Sequence, residues 1–255
     1  MIEVNAIYVI VAREFKKFMR EKNRLISTLI RPLIWLFLVG GGMSRLISPQ
    51  QGIMTVPYLQ FIFPGILGMT ILFSAIFSSI SIIWDKEFGF MKEILVAPVS
   101  RLSIVIGKAL SGTVVSMIQA AIILILFPLL GLNLGLIPVI QTLFVCIILS
   151  FCISAFGIVI ATFYESFESF SVIMNFIVMP MFFLSGAMYP VKVLPLILKI
   201  ATKINPLTYG IDALKHTILQ RADIYDFSFP IDISVMLLSS ILFIIIAGLL
   251  FERKK

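Results

Sequence analysis

The chain has 255 residues, 60% of them hydrophobic and only 13% charged, with a formal net charge of +7. A soluble core cannot absorb that much apolar surface, and no polar stretch is long enough for a separate soluble domain of roughly 50 residues. Residues 1–255 therefore read as a single polytopic membrane domain. The basic excess reads as charge flanking membrane spans rather than as a nucleic-acid footprint.

Residues 3–22 predict an amphipathic helix. Val4, Ile7, Tyr8, Val11, Phe15 and Phe18 make one stripe, and Arg13, Lys16, Lys17 and Arg20 make another at i, i+3, i+4, i+7 on roughly the opposite face. A helix divided in this way suits the membrane interface, with its cations toward anionic headgroups, in preference to packing on protein. Residues 1–24 are assigned to this interface helix. Its charges follow the apolar residues, so the segment does not read as a cleavable signal peptide.

Six spans are expected after it. The first covers roughly 25–44, with Pro32 inside and Gly40-Gly41-Gly42 at its end. The second covers roughly 57–84, with Pro64-Gly65 near its outer end. The third and fourth cover about 103–130 and 137–163. The fifth covers about 167–187, kinked at Pro180, and the sixth about 231–251. Residues 188–230 contain Pro190, Pro195 and Pro206 and two apolar stretches, 191–202 and 207–220. Each is too short to span, so each predicts an interfacial or re-entrant helix. The fold class is an all-α integral membrane protein with six transmembrane helices. Cys146 and Cys152 lie six residues apart in one span, on different helix faces, and read as packing residues rather than a disulfide or metal pair.

Basic residues set the orientation. They cluster before the first span (Arg13, Lys16, Lys17, Arg20, Lys22, Arg24), after the second (Lys86, Lys92, Arg101, with Lys108 close by) and after the sixth (Arg253, Lys254, Lys255). The first outer loop carries only Arg45. Both termini are accordingly placed in the cytoplasm, with the chain in the plasma membrane. Two segments pull the other way. Residues 164–170, placed inside, carry only Glu165 and Glu168, and residues 188–230, placed outside, carry Lys192, Lys199, Lys203, Lys215 and Arg221. The dominance of the first span outweighs them.

Between the second and third spans runs Trp84-Asp85-Lys86-Glu87-Phe88-Gly89-Phe90-Met91-Lys92-Glu93-Ile94-Leu95-Val96-Ala97-Pro98-Val99-Ser100-Arg101. Phe88, Met91, Ile94 and Leu95 fall at helical spacing. Pro98 ends that helix and Ser100 caps the next one. A short helix in the polar loop of a membrane protein is placed to be pushed by a soluble partner.

Catalytic chemistry is not in evidence. No Asp or Glu lies at hydrocarbon depth, which argues against a proton- or sodium-coupled transporter and against an intramembrane aspartyl protease. Arg31 lies about two turns into the first span and reads as snorkelling toward the interface. Gly107-Lys108 is not a phosphate loop, because position 102 is Leu and position 109 is Ala. The lone His216 reads as a surface residue. Ser74, Ser78, Ser79, Ser81, Gln119, Gln141, Ser150, Ser154 and Asn175 within spans read mostly as interhelical hydrogen-bonding or small packing groups.

The assembled pattern resembles the membrane subunit of type-2 ABC exporters over essentially the whole chain. Two runs carry the resemblance: residues 85–101, which are similar to the family's coupling helix and its Ala-Pro-x-Ser-Arg end, and Phe183-Leu184-Ser185-Gly186-Ala187-Met188-Tyr189-Pro190 followed by Asn205-Pro206-Leu207-Thr208-Tyr209-Gly210. The first run is most similar to the daunorubicin-type drug exporter branch. The resemblance implies a coupling helix over 85–99 in which Glu87, Phe88, Gly89, Met91, Lys92, Glu93, Leu95, Pro98 and Arg101 meet an ATPase. It implies external helices over 188–220 and an external gate at Ser185, Gly186, Tyr189, Pro190, Asn205 and Pro206. It further implies two copies of a separate ABC ATPase that bind ATP and Mg, and a second permease copy forming a homodimer. This chain itself would bind no cofactor, and it would carry a drug-like, lipid or glycan substrate. The alternative from another class is a membrane anchor or assembly factor with no transported substrate.

Overall fold

The computed structural model describes residues 3–46, 56–90 and 99–253, which contain helices and turns and no strand. Helix α1 (Val4–Arg20) ends at Glu21, where ψ of 60° leaves helical space. Helix α2 (Lys22–Ile34) follows at once, passes through a wider π-type turn at Trp35–Gly40 and continues as α3 (Gly41–Leu46). Pro32 withholds a donor from the α2 ladder, and the wider turn comes directly after it. A second π-type turn lies in the fifth predicted span, where α7 (Phe167–Ile173), the turn at Met174–Val178 and α8 (Met179–Phe183) follow one another. Here the proline, Pro180, stands after the turn, so the missing donor falls opposite the turn's own carbonyls.

The long helices are α4 (Tyr58–Glu87), α5 (Arg101–Leu124), α6 (Leu136–Phe163) and α11 (Phe229–Arg253). Five described helices are long and apolar enough to cross a membrane: Ile26–Ser44, Tyr58–Glu87, Arg101–Leu124, Leu136–Phe163 and Phe229–Glu252. Phe167–Phe183 is a shorter apolar helix. The fifth expected span, 167–187, is therefore cut back, because Leu184 starts a run of turns with Gly186 at φ +73°. The third ends at Leu124 rather than 130, and a 3-10 turn takes Phe127–Leu130. Its start behaves as predicted, since the Ser100 side chain accepts from the Ser103 N–H.

Helix α4 is the axis of the bundle. It is apolar on nearly every face and buried by α5, α6, the helix Pro206–Ile218 and the first apolar helix. Small residues let the backbones approach. A Cβ at Gly112 would stand 2.5 Å from Ser154 Oγ, and one at Gly157 2.5 Å from Ser79 Oγ. Cys146 and Cys152 are free and buried, as packing residues should be. Of the serines and amides noted in the spans, Ser79 bonds back to its own helix at the Ala75 carbonyl. Ser74, Ser150, Ser154 and the Gln119 carbonyl oxygen are buried without a hydrogen-bond partner among the described residues.

The segment after α8 forms a 3-10 turn (Val191–Val193), α9 (Leu196–Ile204) and α10 (Pro206–Ile218). The two stretches expected to be alike differ. Helix α9 leaves Leu196, Ile197, Ile200 and Ile204 exposed. Helix α10 is inserted among α4, α6 and α11, with Gly210 against Leu149, Gly68 against Ile211, and Thr142 bonded to Thr217.

Gly65 offers a direct test of this packing. A Cβ there would lie 2.5 Å from the Ala187 carbonyl oxygen, a backbone atom that cannot rotate away. Gly65→Val should therefore cost about 1–3 kcal/mol by overpacking. The expected result is a lowered thermal midpoint in detergent, and an unchanged midpoint would refute this contact.

Candidate functional site

The expected coupling segment begins differently from its sequence reading. Asp85, Lys86 and Glu87 are the last turn of α4, not the start of a new helix. Helix α4 stops at Phe88, and Gly89 takes φ +79°, a left-handed conformation suited to glycine, while its N–H bonds the Lys86 carbonyl. Glu87, Phe88, Gly89 and Phe90 are exposed at this tip. Met91, Lys92, Glu93, Leu95 and Pro98 lie outside the described residues. Arg101 opens α5, and its Nη1 is buried with no hydrogen-bond partner among the described residues.

Beneath the tip sits an ionic clasp. Lys108 on α5 donates to Asp85 Oδ2 at 2.6 Å, Glu14 Oε1 at 2.7 Å and Ser81 Oγ at 3.1 Å. Arg13 reaches Asp85 Oδ1 at 3.3 Å. Lys108 is only 5% exposed, so these are contacts in low dielectric, and the two cations balance the two carboxylates. One residue after Asp85, Lys86 donates to the Ala161, Thr162 and Tyr164 carbonyls, closing the C-terminus of α6.

The clasp corrects the reading of α1. Its inner face runs through Ile10, Glu14 and Phe18. Ile10 packs on Gly107, and Glu3 N–H bonds Ser103 Oγ at 2.9 Å. Arg13 turns to Asp85, and Lys17 lies 4.3 Å over the Trp84 ring, so two of the four stripe cations face protein. Lys16 and Arg20 stay exposed, as do Val4, Tyr8 and Phe15 of the apolar stripe. The helix packs on α5 by one edge and leaves both stripes partly open.

A groove of about 260 Å³ lies between α2, α4 and α7, lined by Ser27, Thr28, Arg31, Phe73, Phe77 and Phe167 among others. A second hollow beyond it shares Arg31, Phe73, Phe77, Ile80 and Phe167 and reaches Asn175 and Met179. Arg31 does not simply lift toward the interface. Its guanidinium sits 4.7 Å over the Phe73 ring and faces the groove. Around the rim, Ile26, Ile30, Ile34, Phe37 and Leu38 on one side and Phe167, Val172, Phe176 and Ile177 on the other are exposed.

At the opposite end of the bundle, the residues expected at the gate form a hydrogen-bonded corner. Asn205 caps α10 by accepting from Leu207 N–H at 3.1 Å, and its amide donates to the Met181 carbonyl at 2.6 Å. Pro206 fills the first helical position. Ser185 donates to the Phe182 carbonyl and Tyr189 to that of Phe183. A Cβ at Gly186 would strike Val191, and Pro190 leads into the 3-10 turn.

A model of the ABC-2 type transporter family matches residues 5–219. The chain belongs to that family. Among relatives of this ABC-2 chain is the ycf38 protein of Cyanophora paradoxa, whose name designates a transport permease. It is 31% identical over 98% of this chain and 89% of its own. The inner membrane transport permease YadH of Escherichia coli K12 is 25% identical over 86% of this chain and 85% of its own length. A third, YbhR of the same strain, has a name designating a multidrug ABC transporter permease. It is 28% identical over 66% of this chain but only 46% of its own. Membership makes this ABC-2 chain a membrane transport subunit.

Sequence reasoning missed the clasp and misplaced His216. Its Nε2 lies 3.7 Å from Asp232 Oδ2 and 2.9 Å from the Phe227 carbonyl, and its ring stacks on Tyr225. The Asp212–His216 spacing of i, i+4 was the available signal. In the same corner burial raises the Asp226 carboxyl above its ordinary range, with Lys215 drawing it down and Asp212 pushing it up.

Proposed function

We propose that this ABC-2 chain is the permease of an ATP-driven exporter that carries amphiphiles across the plasma membrane. The observation that supports the reading best is the groove at Arg31: an apolar cleft with one guanidinium, open along the exposed faces of the first apolar helix and of Phe167–Phe183. Such a lining suits an amphiphile with an anionic or polar end better than a glycan. The short helix Phe167–Phe183 completes six crossings, with both termini cytoplasmic. A second copy of the chain covers the exposed faces beside the groove. Two ABC ATPases, carrying ATP and Mg, act at the Glu87–Phe90 tip.

The test is ATPase stimulation by a panel of drug-like, lipid and glycan compounds in the reconstituted complex. Anionic amphiphiles should stimulate wild type, and Arg31→Met should lose that response while keeping basal turnover. Equal stimulation of Arg31→Met and wild type would remove the groove from the substrate path.

Topology is checked separately. With Cys146 and Cys152 replaced, single cysteines at Lys22, Lys92, Lys199 and Lys254 should differ in intact cells. An impermeant thiol reagent outside should label position 199 alone. Labelling at 92 from outside would break the six-span arrangement.

A further inference from the structure

The corner between α10 and α11 holds three side chains of metal-ligating type, outside the proposed groove and coupling tip. Asp212 and His216 stand one turn apart on α10, and Asp232 projects from the first turn of α11. One ligand atom from each lies within 4.8 Å of the others. Asp232 is 0% exposed, yet neither of its oxygens has a hydrogen-bond partner among the described residues. Its nearest ion-pairing group is the His216 imidazole at 3.7 Å, and no Lys or Arg nitrogen among the described residues lies within 4.0 Å of it. Asp226 adds a further carboxylate nearby, and Lys215, whose Nζ sits 5.1 Å over the Phe61 ring, and Lys192, which acts on Asp226, set two lysines against three acids. A bare carboxylate so placed carries a desolvation penalty that only a proton or a cation relieves.

We propose that Asp212, His216 and Asp232 bind a divalent transition-metal ion of the zinc class, tying α10 to α11. The donor set of one imidazole and two carboxylates suits zinc better than magnesium or calcium, which prefer oxygen throughout. The side chains are already oriented for it. Asp212 accepts from the Asp226 and Phe227 N–H groups, which fix its carboxylate, while Tyr225 and Phe229 hold the imidazole plane. A tetrahedral shell with bonds of about 2.1 Å places donors about 3.4 Å apart, so the widest pair closes by roughly 1.4 Å at most. Nε2 gives up its bond to the Phe227 carbonyl and turns its lone pair to the ion, with the proton on Nδ1. The freed carbonyl, or water, completes the coordination.

The experiment uses the full chain without a histidine tag, purified in detergent, stripped with a chelator and desalted. Zinc is titrated by calorimetry, and cobalt serves as a spectroscopic probe through its visible ligand-field bands. One zinc per chain is expected, with affinity at least tenfold weaker in His216→Gln and Asp232→Asn and unchanged in the control Glu168→Gln, at the other end of the bundle. Zinc should also raise the thermal midpoint of wild type but not of Asp232→Asn. That variant should fold, because it removes a buried charge. Equal zinc binding by wild type and Asp232→Asn would overturn the proposal, as would failure of wild type to bind zinc below about 100 μM, or displacement of zinc by equimolar magnesium. Binding is read on the permease alone, so the result stands apart from the test of export.

Discussion

Lys108→Met should destabilise the folded chain by about 3–5 kcal/mol, the usual consequence of stranding buried charges. The lysine is the hub of the clasp, and its loss leaves Glu14 and Asp85 facing each other across α1 and α4. Arg13 does not replace it, because its side chain is half exposed and reaches only Asp85. The thermal midpoint in detergent should fall by on the order of 10 °C for a chain of this size. The triple variant Glu14→Gln, Asp85→Asn, Lys108→Met should recover much of the loss, because neutral groups of similar shape need no counter-charge. A single variant that melts with wild type would show that the clasp carries no stability. A triple variant no better than the single would show that shape rather than charge was at issue.

The second large effect belongs to Gly89. Its φ of +79° is closed to proline, whose ring fixes φ near −65°, and proline would also remove the N–H that bonds the Lys86 carbonyl. Gly89→Pro should cost the tip about 3 kcal/mol or more locally and reduce export at least tenfold. Membrane insertion should be untouched, since a Cβ at Gly89 meets nothing within 4 Å among the described residues beyond its chain neighbours. Gly89→Ala, strained by roughly 1–3 kcal/mol in the left-handed region, should fall between. Glu87→Lys tests charge instead of shape, because Glu87 is exposed and its reversal costs the fold little. ATP-dependent export in vesicles and pull-down of the ATPase report both. Wild-type export and pull-down by Glu87→Lys would remove this tip from the coupling path.

Much of the fold was legible because membrane spans announce themselves by length. The cap at Ser100 and the packed cysteines follow from local rules of spacing and composition, whereas the difference between 191–202 and 207–220 does not, because both are short and apolar. The clasp was not legible, because Glu14, Asp85 and Lys108 come from three helices and meet only when the registers of all three are known. Each had a plausible local reading as a charge at a span end. The inner face of α1 was misassigned for a related reason. The apolar stripe predicts a face turned to the membrane, but Glu14, between Ile10 and Phe18, points inward to Lys108 and sets the buried face. His216 looked isolated because Asp232 is sixteen positions further on, across a loop. Gly89 looked like a residue inside a short helix because the sequence does not mark where α4 ends.

Helix α4 runs without a break through 30 residues from Tyr58 to Glu87. At 1.5 Å per residue it is a rod of about 45 Å, so a tilt of about 5° pivoted at one end displaces the other by about 4 Å. Lys86 fastens the C-terminus of α6 to this rod, and the clasp fastens α1 and α5. Gly65 near its other end abuts the Ala187 backbone. Pro64 lies beyond Gly65 and residues 65–87 hold no proline, so a sideways load at Glu87 would reach the turn at Ser185–Tyr189 as leverage.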